Sequence, residues 1–507
     1  MTPTAEGTPE SIGARIQSGV VWKVASQGTL QASRMIVALV VARLLAPNDW
    51  GVAAMVMVVA SFATALTDNA LGPALVQKAD LTEDDKSTVL WINVSIGVLL
   101  AAVGTALAGP LADFYGVPAV RPLFIAISLG FFVSCLGITH MALLQRAMDF
   151  RKLELRQMAA TLVGAAVGIA IALAHLGAWA IVGQQLATAL TSTLLLWAFA
   201  HWWPRLRFSR ESLRSLGGFA GFLFGENLLY QGGSNLGNLL IGRFLGAVAL
   251  GTYGLATNVI LMPITRFVAP LATVFYPAFS RMSDDRERLT DTWLRSTRLI
   301  VAVTAPALAG LAVVAPDFVN VVLGSRWSGA IPVICILAWA GLIGSVDGLM
   351  GEVVLALNKP RTLFWLTCIW LVGAVVSLAI GLHWGILGVA IGAAVMATIN
   401  QPFRMYVTTR LLGVPFRRVV GALSGVATAT ALMVVVVFAT RHALMAAGVP
   451  AILRLLLLVA IGGLVYVPSC LHYVPEIAFE ARRVAARRRP GAALPEAVPS
   501  GSIASRS

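Results

Sequence analysis

Long apolar stretches separated by short polar clusters run through almost the whole chain. Divided at its charged and Pro/Gly clusters, the sequence gives about fourteen apolar segments, each long enough to cross a bilayer as a helix. They start near Val20, Trp50, Ser87, Val120, Leu153, Gly177, Gly217, Val248, Asp291, Ser328, Leu363, Trp384, Phe416 and Ala451. Only Leu176 and Gly177 separate the fifth segment from the sixth. The pattern predicts an all-α polytopic membrane protein with about 14 transmembrane helices.

Composition supports the same class. Of the 507 residues 58% are hydrophobic and 12% are charged, and the mean hydropathy is +0.83. A soluble globular protein carries about 25% charged residues, so a cytosolic enzyme, a secreted domain and a disordered chain are excluded. The cysteines stand far apart in apolar context and predict neither a disulfide framework nor a metal site; they are Cys135, Cys335, Cys368 and Cys470.

Basic residues between the segments predict the orientation in the membrane. With the N-terminus placed in the cytoplasm, the inner loops hold 21 Lys and Arg residues. The outer connections hold six, namely Arg43, Arg121, Arg243, Arg326, Arg441 and Arg454. The positive-inside rule therefore places both termini in the cytoplasm.

The two ends of the chain are polar. Residues 1–19 predict a cytoplasmic segment without the basic start and cleavage site of a signal peptide. Residues 474–507 form a basic tail that ends in an Ala/Pro/Ser-rich stretch and is predicted to be disordered. The net charge of +14 thus belongs to topology and to this tail, and it argues against nucleic-acid binding.

The chain repeats itself at an offset of 200 residues. Without a gap, Gln31 aligns with Gln231, Leu39 with Leu239, Arg43 with Arg243, Leu45 with Leu245 and Gly51 with Gly251. Shared Gln, Arg and Gly in register favour a duplication over chance. Because both copies begin on the predicted cytoplasmic side, the repeat is parallel, with a pseudo-two-fold axis along the membrane normal. Transporters of this design bind substrate between their halves and alternate access by rocking.

The repeat divides the chain into predicted domains. We expect an N-lobe of six spans (20–201), a cytoplasmic inter-lobe linker (202–216), a C-lobe of six spans (217–412) and two further spans (413–473).

Polar residues share one face of the first span. Lys23, Gln27, Gln31 and Arg34 follow at steps of 4, 4 and 3, which keeps them on one side of a helix. An arginine near the middle of a membrane helix costs roughly 2.5 to 3.5 kcal/mol, so Arg34 should face water, a ligand or a carboxylate.

The seventh span has an equivalent face, which carries Glu226, Asn227, Gln231 and Asn235. We expect the two faces to line one shared cavity. Other ionisable residues within apolar segments are Asp68, Arg266, Asp347 and Glu352. Each is a candidate for function, for a structural ion pair or for an end residue that reaches the interface.

The candidate residues suggest a ligand. Two buried guanidiniums, Arg34 and Arg266, with Lys23 nearer the cytoplasm, suit a phosphate or diphosphate. The Asn and Gln amides suit sugar hydroxyls because they both donate and accept hydrogen bonds. Glu226 and Asp68 are candidate proton or Na⁺ carriers, and the sequence leaves such coupling open.

Other signals point away from enzymatic chemistry. The sequence has no phosphate-binding glycine loop with its lysine, so we expect no built-in ATP motor. No cofactor and no catalytic residue are predicted. Tryptophans near span ends, Trp50 and Trp327 among them, fit an interfacial aromatic belt.

Several motifs in order resemble one family. The stretch 42–51 (ARLLAPNDWG) looks like that family's R-L-L-x-P-x-x-aromatic-G turn, and the similarity continues in 67–77, 144–152, 177–182, 240–246 and 275–281. Over about residues 15–475 the chain resembles the Wzx-like polysaccharide transporters, or flippases, of the multidrug/oligosaccharidyl-lipid/polysaccharide exporter superfamily. It looks most like the colanic-acid and exopolysaccharide branch.

This resemblance implies a bacterial inner-membrane protein that moves undecaprenyl-diphosphate-linked oligosaccharide units to the periplasmic leaflet, for exopolysaccharide or O-antigen assembly. Polysaccharide polymerase and export proteins are its implied partners. In related flippases, arginines of the first and eighth spans line a cationic cavity, which matches Arg34 and Arg266. Spans 13 and 14 would flank a groove for the polyprenyl tail. Gly237 stands where this branch commonly has an Asp, which makes Glu226 the acidic residue to test for ion coupling.

Two other transport functions stay open. A peptidoglycan-precursor lipid flippase would use a similar cavity. A drug or organic-cation antiporter of the same fold would need a mainly acidic cavity, whereas Lys23, Arg34 and Arg266 favour an anion. A glycan polymerase should have a large outer loop, and the longest predicted outer connections have only about ten residues.

Overall fold

A computed structural model describes residues 37–68, 75–76, 81–205, 207, 209, 235–262, 264, 275 and 278–474. Within these residues the chain is helical and contains no strand. Ten of the described helical stretches are long and apolar enough to cross a membrane. The all-α membrane class predicted from the sequence is therefore confirmed, while the count of fourteen spans stays a prediction.

Most helices follow predicted segments, but the span predicted to start near Val248 is wrong, because Val248 lies within the single helix Asn235–Met262. In chain order they are α1 (Pro47–Asp68), α2 (Glu83–Tyr115), α3 (Val120–Arg146), α4 (Phe150–Leu173), α5 (Trp179–Ala200), α6 (Asn235–Met262), α7 (Arg286–Phe318), α8 (Ala330–Ser345), α9 (Met350–Ala356), α10 (Pro360–Gly381), α11 (Gly385–Leu412), α12 (Phe416–Ala446) and α13 (Ala451–Tyr473). The starts of α3, α12 and α13 are the residues expected from the sequence.

Local chemistry sets several of these ends. At the start of α2, Thr82 Oγ1 accepts a hydrogen bond from Asp85 N at 3.1 Å, and Asp85 Oδ2 accepts one from Thr82 N at 3.0 Å. This capping box satisfies backbone donors that the first turn leaves unpaired. At the other end Gly116 takes φ +67°, a left-handed conformation that ends the helix.

A short connection separates α4 from α5. It runs from Leu173 to Trp179 and turns at Gly177, which has φ +58°. The sequence separated these spans by two residues only, and the structure keeps them as two helices.

The chain packs as two compact units, each described here by itself. The first contains the described residues within Met1–Ala256, Val322–Val333 and Leu378–Val389. Its buried core joins residues of the first sequence half to residues of the second. We call seven of them the seam, and they are Val52, Met55, Val56, Ile241, Leu250, Leu378 and Val389.

The second unit contains the described residues within Thr257–Val321, Ile334–Ser377 and Ala390–Ser507. In it α12 and α13 pack on α7, with a core that includes Val301, Met433 and Leu458. Tyr466 of α13 donates a hydrogen bond to the backbone oxygen of Ala302 at 2.6 Å. The last two spans are therefore fixed to α7 by apolar packing and by buried hydrogen bonds.

Candidate functional site

Most of the predicted cavity residues lie outside the described residues. These are Lys23, Gln27, Gln31, Arg34, Glu226, Asn227, Gln231 and Arg266. Asp68 is the last residue of α1, and Asn235 is the first residue of α6, where it is half-buried. The cavity that these ten residues would line therefore stays a prediction.

The two stretches that align at the 200-residue offset share a backbone irregularity near the same position. Residues 37–44 are helical, the helix stops at Leu45 and Ala46, and α1 begins at Pro47. In the second copy α6 contains Gly246 at φ +82°, a conformation outside the right-handed helical region. The backbone thus departs from right-handed helical geometry near the same aligned position, at 45–46 in one stretch and at 246 in the other, although α6 continues to Met262.

The backbones of the two aligned stretches meet at Gly51 and Gly251, which the 200-residue offset pairs. A Cβ added to Gly51 would overlap the carbonyl oxygen of Ala247 and lie 3.0 Å from its Cα. A Cβ added to Gly251 would overlap the carbonyl oxygen of Pro47 and lie 2.8 Å from the backbone N of Gly51. Only glycine permits this approach, so we name the contact of these four residues the glycine crossing.

A tryptophan from the α7–α8 connection packs beside the crossing. Trp327 is 1% exposed, and its Nε1 donates a hydrogen bond of 2.8 Å to the carbonyl oxygen of Ala42. The ring of Trp50 meets it edge-on, with 6.1 Å between the ring centroids. The expectation that Trp327 belongs to a lipid-facing aromatic belt is wrong. The side chain is buried, and its indole N–H donates to the backbone of Ala42 instead of to lipid headgroups or water.

One of the predicted outer arginines lies near the same end of the helices. The guanidinium of Arg243 stands 5.5 Å from the centre of the Phe114 ring, and both side chains are exposed. Such a cation–π contact at an exposed site contributes about 0.5–1 kcal/mol.

The two acidic candidates of the tenth span have different surroundings. Asp347, between α8 and α9, forms an ion pair of 3.1 Å with Arg404 of α11, and the two side chains are 20% and 13% exposed. Arg404 lies within the helix, not in a connection. Glu352 is half-buried in α9. Asp347 therefore has a structural partner.

Beside this ion pair lies a cavity of about 280 Å³. Asp347 and Gln401 reach it, and the rest of its wall is apolar, with Met350, Met405 and Phe416 among the contacts. Its chemistry does not suit a diphosphate, because no described cation lines it.

One buried cluster of charged residues was not predicted from the sequence. Asp317 of α7 is 2% exposed and pairs with Arg441 of α12, at 2.7 Å, and with Arg454 of α13. Both arginines were expected at the outer interface. A lone Asp in the apolar run after Val314 was the signal that could have revealed the partner.

Comparisons with known proteins place the chain in a family. A family model described as "Polysaccharide biosynthesis protein" matches residues 40–332. The chain is 27% identical to "Lipopolysaccharide biosynthesis protein WzxC" of Escherichia coli (strain K12), over 80% of this chain and 84% of that protein. It is 27% identical to "Succinoglycan biosynthesis transport protein ExoT" of Rhizobium meliloti (strain 1021), over 90% and 93%.

Two solved structures share the fold. A lipid II flippase MurJ in an inward closed conformation superimposes with a TM-score of 0.70 at 12% identity, covering 90% of this chain and 100% of that one. An inward-facing multidrug resistance MATE family transporter gives 0.58 at 15% identity, covering 75% and 95%. At these identities the likeness concerns the fold alone.

The family predicted from the ordered motifs is thus confirmed. Since the match to residues 40–332 spans more than half of the 507 residues, the chain belongs to the polysaccharide biosynthesis protein family of Wzx-like membrane proteins.

Proposed function

We propose that this protein is a flippase that moves undecaprenyl-diphosphate-linked oligosaccharide units from the cytoplasmic to the periplasmic leaflet of the bacterial inner membrane. The observation that carries the proposal is similarity along almost the full length of relatives named for polysaccharide assembly and transport, with 93% of ExoT covered. A further relative, from Haloferax volcanii, is named a probable glycan biosynthesis flippase.

The proposed architecture has fourteen spans, in two six-span lobes and a final pair, with both termini in the cytoplasm. Ten described membrane-length helices and the charge bias of the loops support it. So does the fold shared with the MurJ structure over 90% of the chain.

The headgroup of the substrate supplies the chemistry of binding. In the proposal the diphosphate binds Arg34 and Arg266, with Lys23 at the cytoplasmic entrance. Bidentate, charge-assisted hydrogen bonds offset the cost of removing the phosphates and the guanidiniums from water. The Asn and Gln side chains of the two polar faces accept and donate to the glycan, while the isoprenoid chain stays in lipid.

In the proposal, the substrate crosses the membrane through a rocking motion of the two lobes. A substrate held between them reaches the outer leaflet when the lobes rock, because the binding site then opens to the other side. No residue needs a catalytic role in this cycle. Glu226 and Asp68 are the proposed places for proton or Na⁺ coupling.

The direct test uses Arg34→Ala and Arg266→Ala in a deletion strain. We expect each variant to trap lipid-linked oligosaccharide on the inner leaflet and to reduce export of the polymer at least tenfold, roughly the effect of losing one charge-assisted contact of 1.5–3 kcal/mol. The measurement is the amount of inner-leaflet oligosaccharide together with surface polymer.

Arg121→Ala is the matched control, since it removes an arginine that lies exposed at the start of α3. It should export normally. If both single variants and their double export the polymer at the level of this control, the proposed diphosphate site is wrong.

A further inference from the structure

We propose that the glycine crossing is the gate that closes the periplasmic side and must part before substrate leaves. The proposal rests on the function proposed above, and it assigns a role to Gly51 and Gly251 that the cavity residues do not have. Three features of the first unit carry it.

The first feature is reciprocity. Gly51 meets Ala247, and Gly251 meets Pro47. Adding 200 to 47 and to 51 gives 247 and 251, so each copy presents the same positions to the other. A contact in which the same patch meets itself lies on a two-fold axis. The crossing therefore marks where the pseudo-two-fold axis of the duplication passes between the halves.

The second feature is how the contact is made. Its surfaces are the glycine backbone and the carbonyl oxygens of Ala247 and Pro47, which lie so close that an added Cβ would overlap them. Separating such surfaces leaves no buried charge without a partner, because neither glycine contributes a side chain. The crossing itself can therefore open without leaving a charge buried and unpaired.

The third feature is the position of the crossing within the seam. Gly51 precedes Val52 of the seam and Gly251 follows Leu250. The seam also holds Leu378 and Val389, which flank the connection between α10 and α11. The loop charges assign this end of the helices to the periplasm. Both halves are thus joined there, and the outward path opens only when the crossing and the seam part.

The test measures opening without using substrate. The four native cysteines are replaced by alanine, and Val56→Cys places a single thiol of similar volume in the seam, where Val56 is fully buried. A membrane-impermeant maleimide is added from the periplasmic side. With Gly51→Ala or Gly251→Ala we expect labelling about tenfold faster, the shift produced by weakening closure by 1.4 kcal/mol.

The double variant gives the sharpest prediction. One added methyl already prevents the close approach, so Gly51→Ala with Gly251→Ala should label no faster than either single variant. Two residues that act through one contact show such non-additivity. Trp327→Phe is a milder second variant, which loses the hydrogen bond to Ala42 but keeps a ring. It should raise labelling about fivefold.

Gly109→Ala and Gly463→Ala are the matched controls. Both glycines lie in helices, and a Cβ at either would have no neighbouring atom within 4 Å. They should label as slowly as the parent protein at equal amounts in the membrane. Parent-like labelling in both crossing variants and in Trp327→Phe would overturn the gate.

The two proposals fail separately. If the arginine variants export normally while the crossing variants label quickly, the flippase site is wrong and the gate stands. If the arginine variants trap oligosaccharide while labelling never changes, the gate is wrong and the site stands.

Discussion

Asp317 shows how this protein keeps charge inside its helices. Its two carboxylate oxygens receive the guanidiniums of Arg441 and Arg454, which come from the two last spans. An isolated carboxylate at 2% exposure would cost many kcal/mol, so the pair of arginines is what permits the burial. The cluster joins α7, α12 and α13 at one end of the second unit.

Removing that carboxylate should therefore destabilise the protein. Asp317→Asn keeps the shape of the side chain but leaves two buried guanidiniums beside a neutral amide. We expect a loss of about 3 kcal/mol, measured as a lower unfolding temperature of the purified protein in detergent.

Asp291→Asn is the matched control for this substitution. Asp291 pairs with Arg418 at 2.8 Å, but the two side chains are 54% and 41% exposed. Such surface pairs contribute about 0–1 kcal/mol, so the unfolding temperature should hardly move. Equal shifts for the two variants would contradict a stabilising role for the buried cluster.

Among the elements, the start of the predicted linker has an unexpected structure. Residues 202–205, 207 and 209 lie along the first turns of α2. Trp202 Nε1 donates to Glu83 Oε2 at 2.9 Å, the backbone N of Arg205 donates to Ser87 Oγ at 3.1 Å, and that of Ser209 donates to Thr88 Oγ1 at 3.0 Å. This part of the linker is a strap bound to the first unit.

Loosening the strap should expose it to protease. In the native protein the Trp202 ring lies 5.5 Å from the His140 ring, measured between centroids. Trp202→Phe removes the hydrogen bond to Glu83 but keeps an aromatic ring beside His140. Losing one net hydrogen bond of about 1 kcal/mol should raise the open fraction about fivefold. We expect trypsin to cut after Arg205 and Arg207 faster by that factor, with the fragments identified by mass spectrometry.

Trp203→Phe is the comparison for this prediction. Trp203 is 76% exposed and meets Trp197 edge-on. Its substitution should leave the cleavage rate unchanged. A strap that is cut equally fast in both variants and in the parent protein would show that the Trp202 hydrogen bond does not hold it.

For the whole molecule, the choice is between a polysaccharide pathway and peptidoglycan. The solved lipid II flippase shares the fold at 12% identity. The relatives named for lipopolysaccharide and succinoglycan favour a surface polymer. We therefore expect deletion of the gene to be viable and to abolish one surface polysaccharide, measured by sugar analysis of the cell-surface fraction.

Complementation checks that outcome. The parent gene should restore the polymer, and the Arg121→Ala control should do so as well. A deletion that is lethal, and that is rescued by an unrelated peptidoglycan-precursor flippase, would move the protein to the alternative function.

Apolar runs divided at charged and Pro/Gly clusters predicted most of the described helix starts to within about four residues, because a span is a local property of about 20 consecutive residues. α2 begins at Glu83, four residues before the predicted start at Ser87, because the capping box adds a polar first turn that an apolar run does not include. α7 begins at Arg286 and not at the predicted Asp291 for a similar reason: the N-cap residue Asp285 accepts a hydrogen bond from the backbone N of Arg288 and adds a polar first turn. The lobe boundaries stay predictions.

The sequence by itself determined the membrane class and the family, because both follow from the order and spacing of residues along the chain. Only the tertiary structure decided which groups meet. It paired Asp347 with Arg404 and Asp317 with two arginines, buried Trp327 against Ala42, and brought Gly51 to Gly251. Which residues far apart in the chain come into contact depends on which helix faces pack together. That packing is a property of the whole fold.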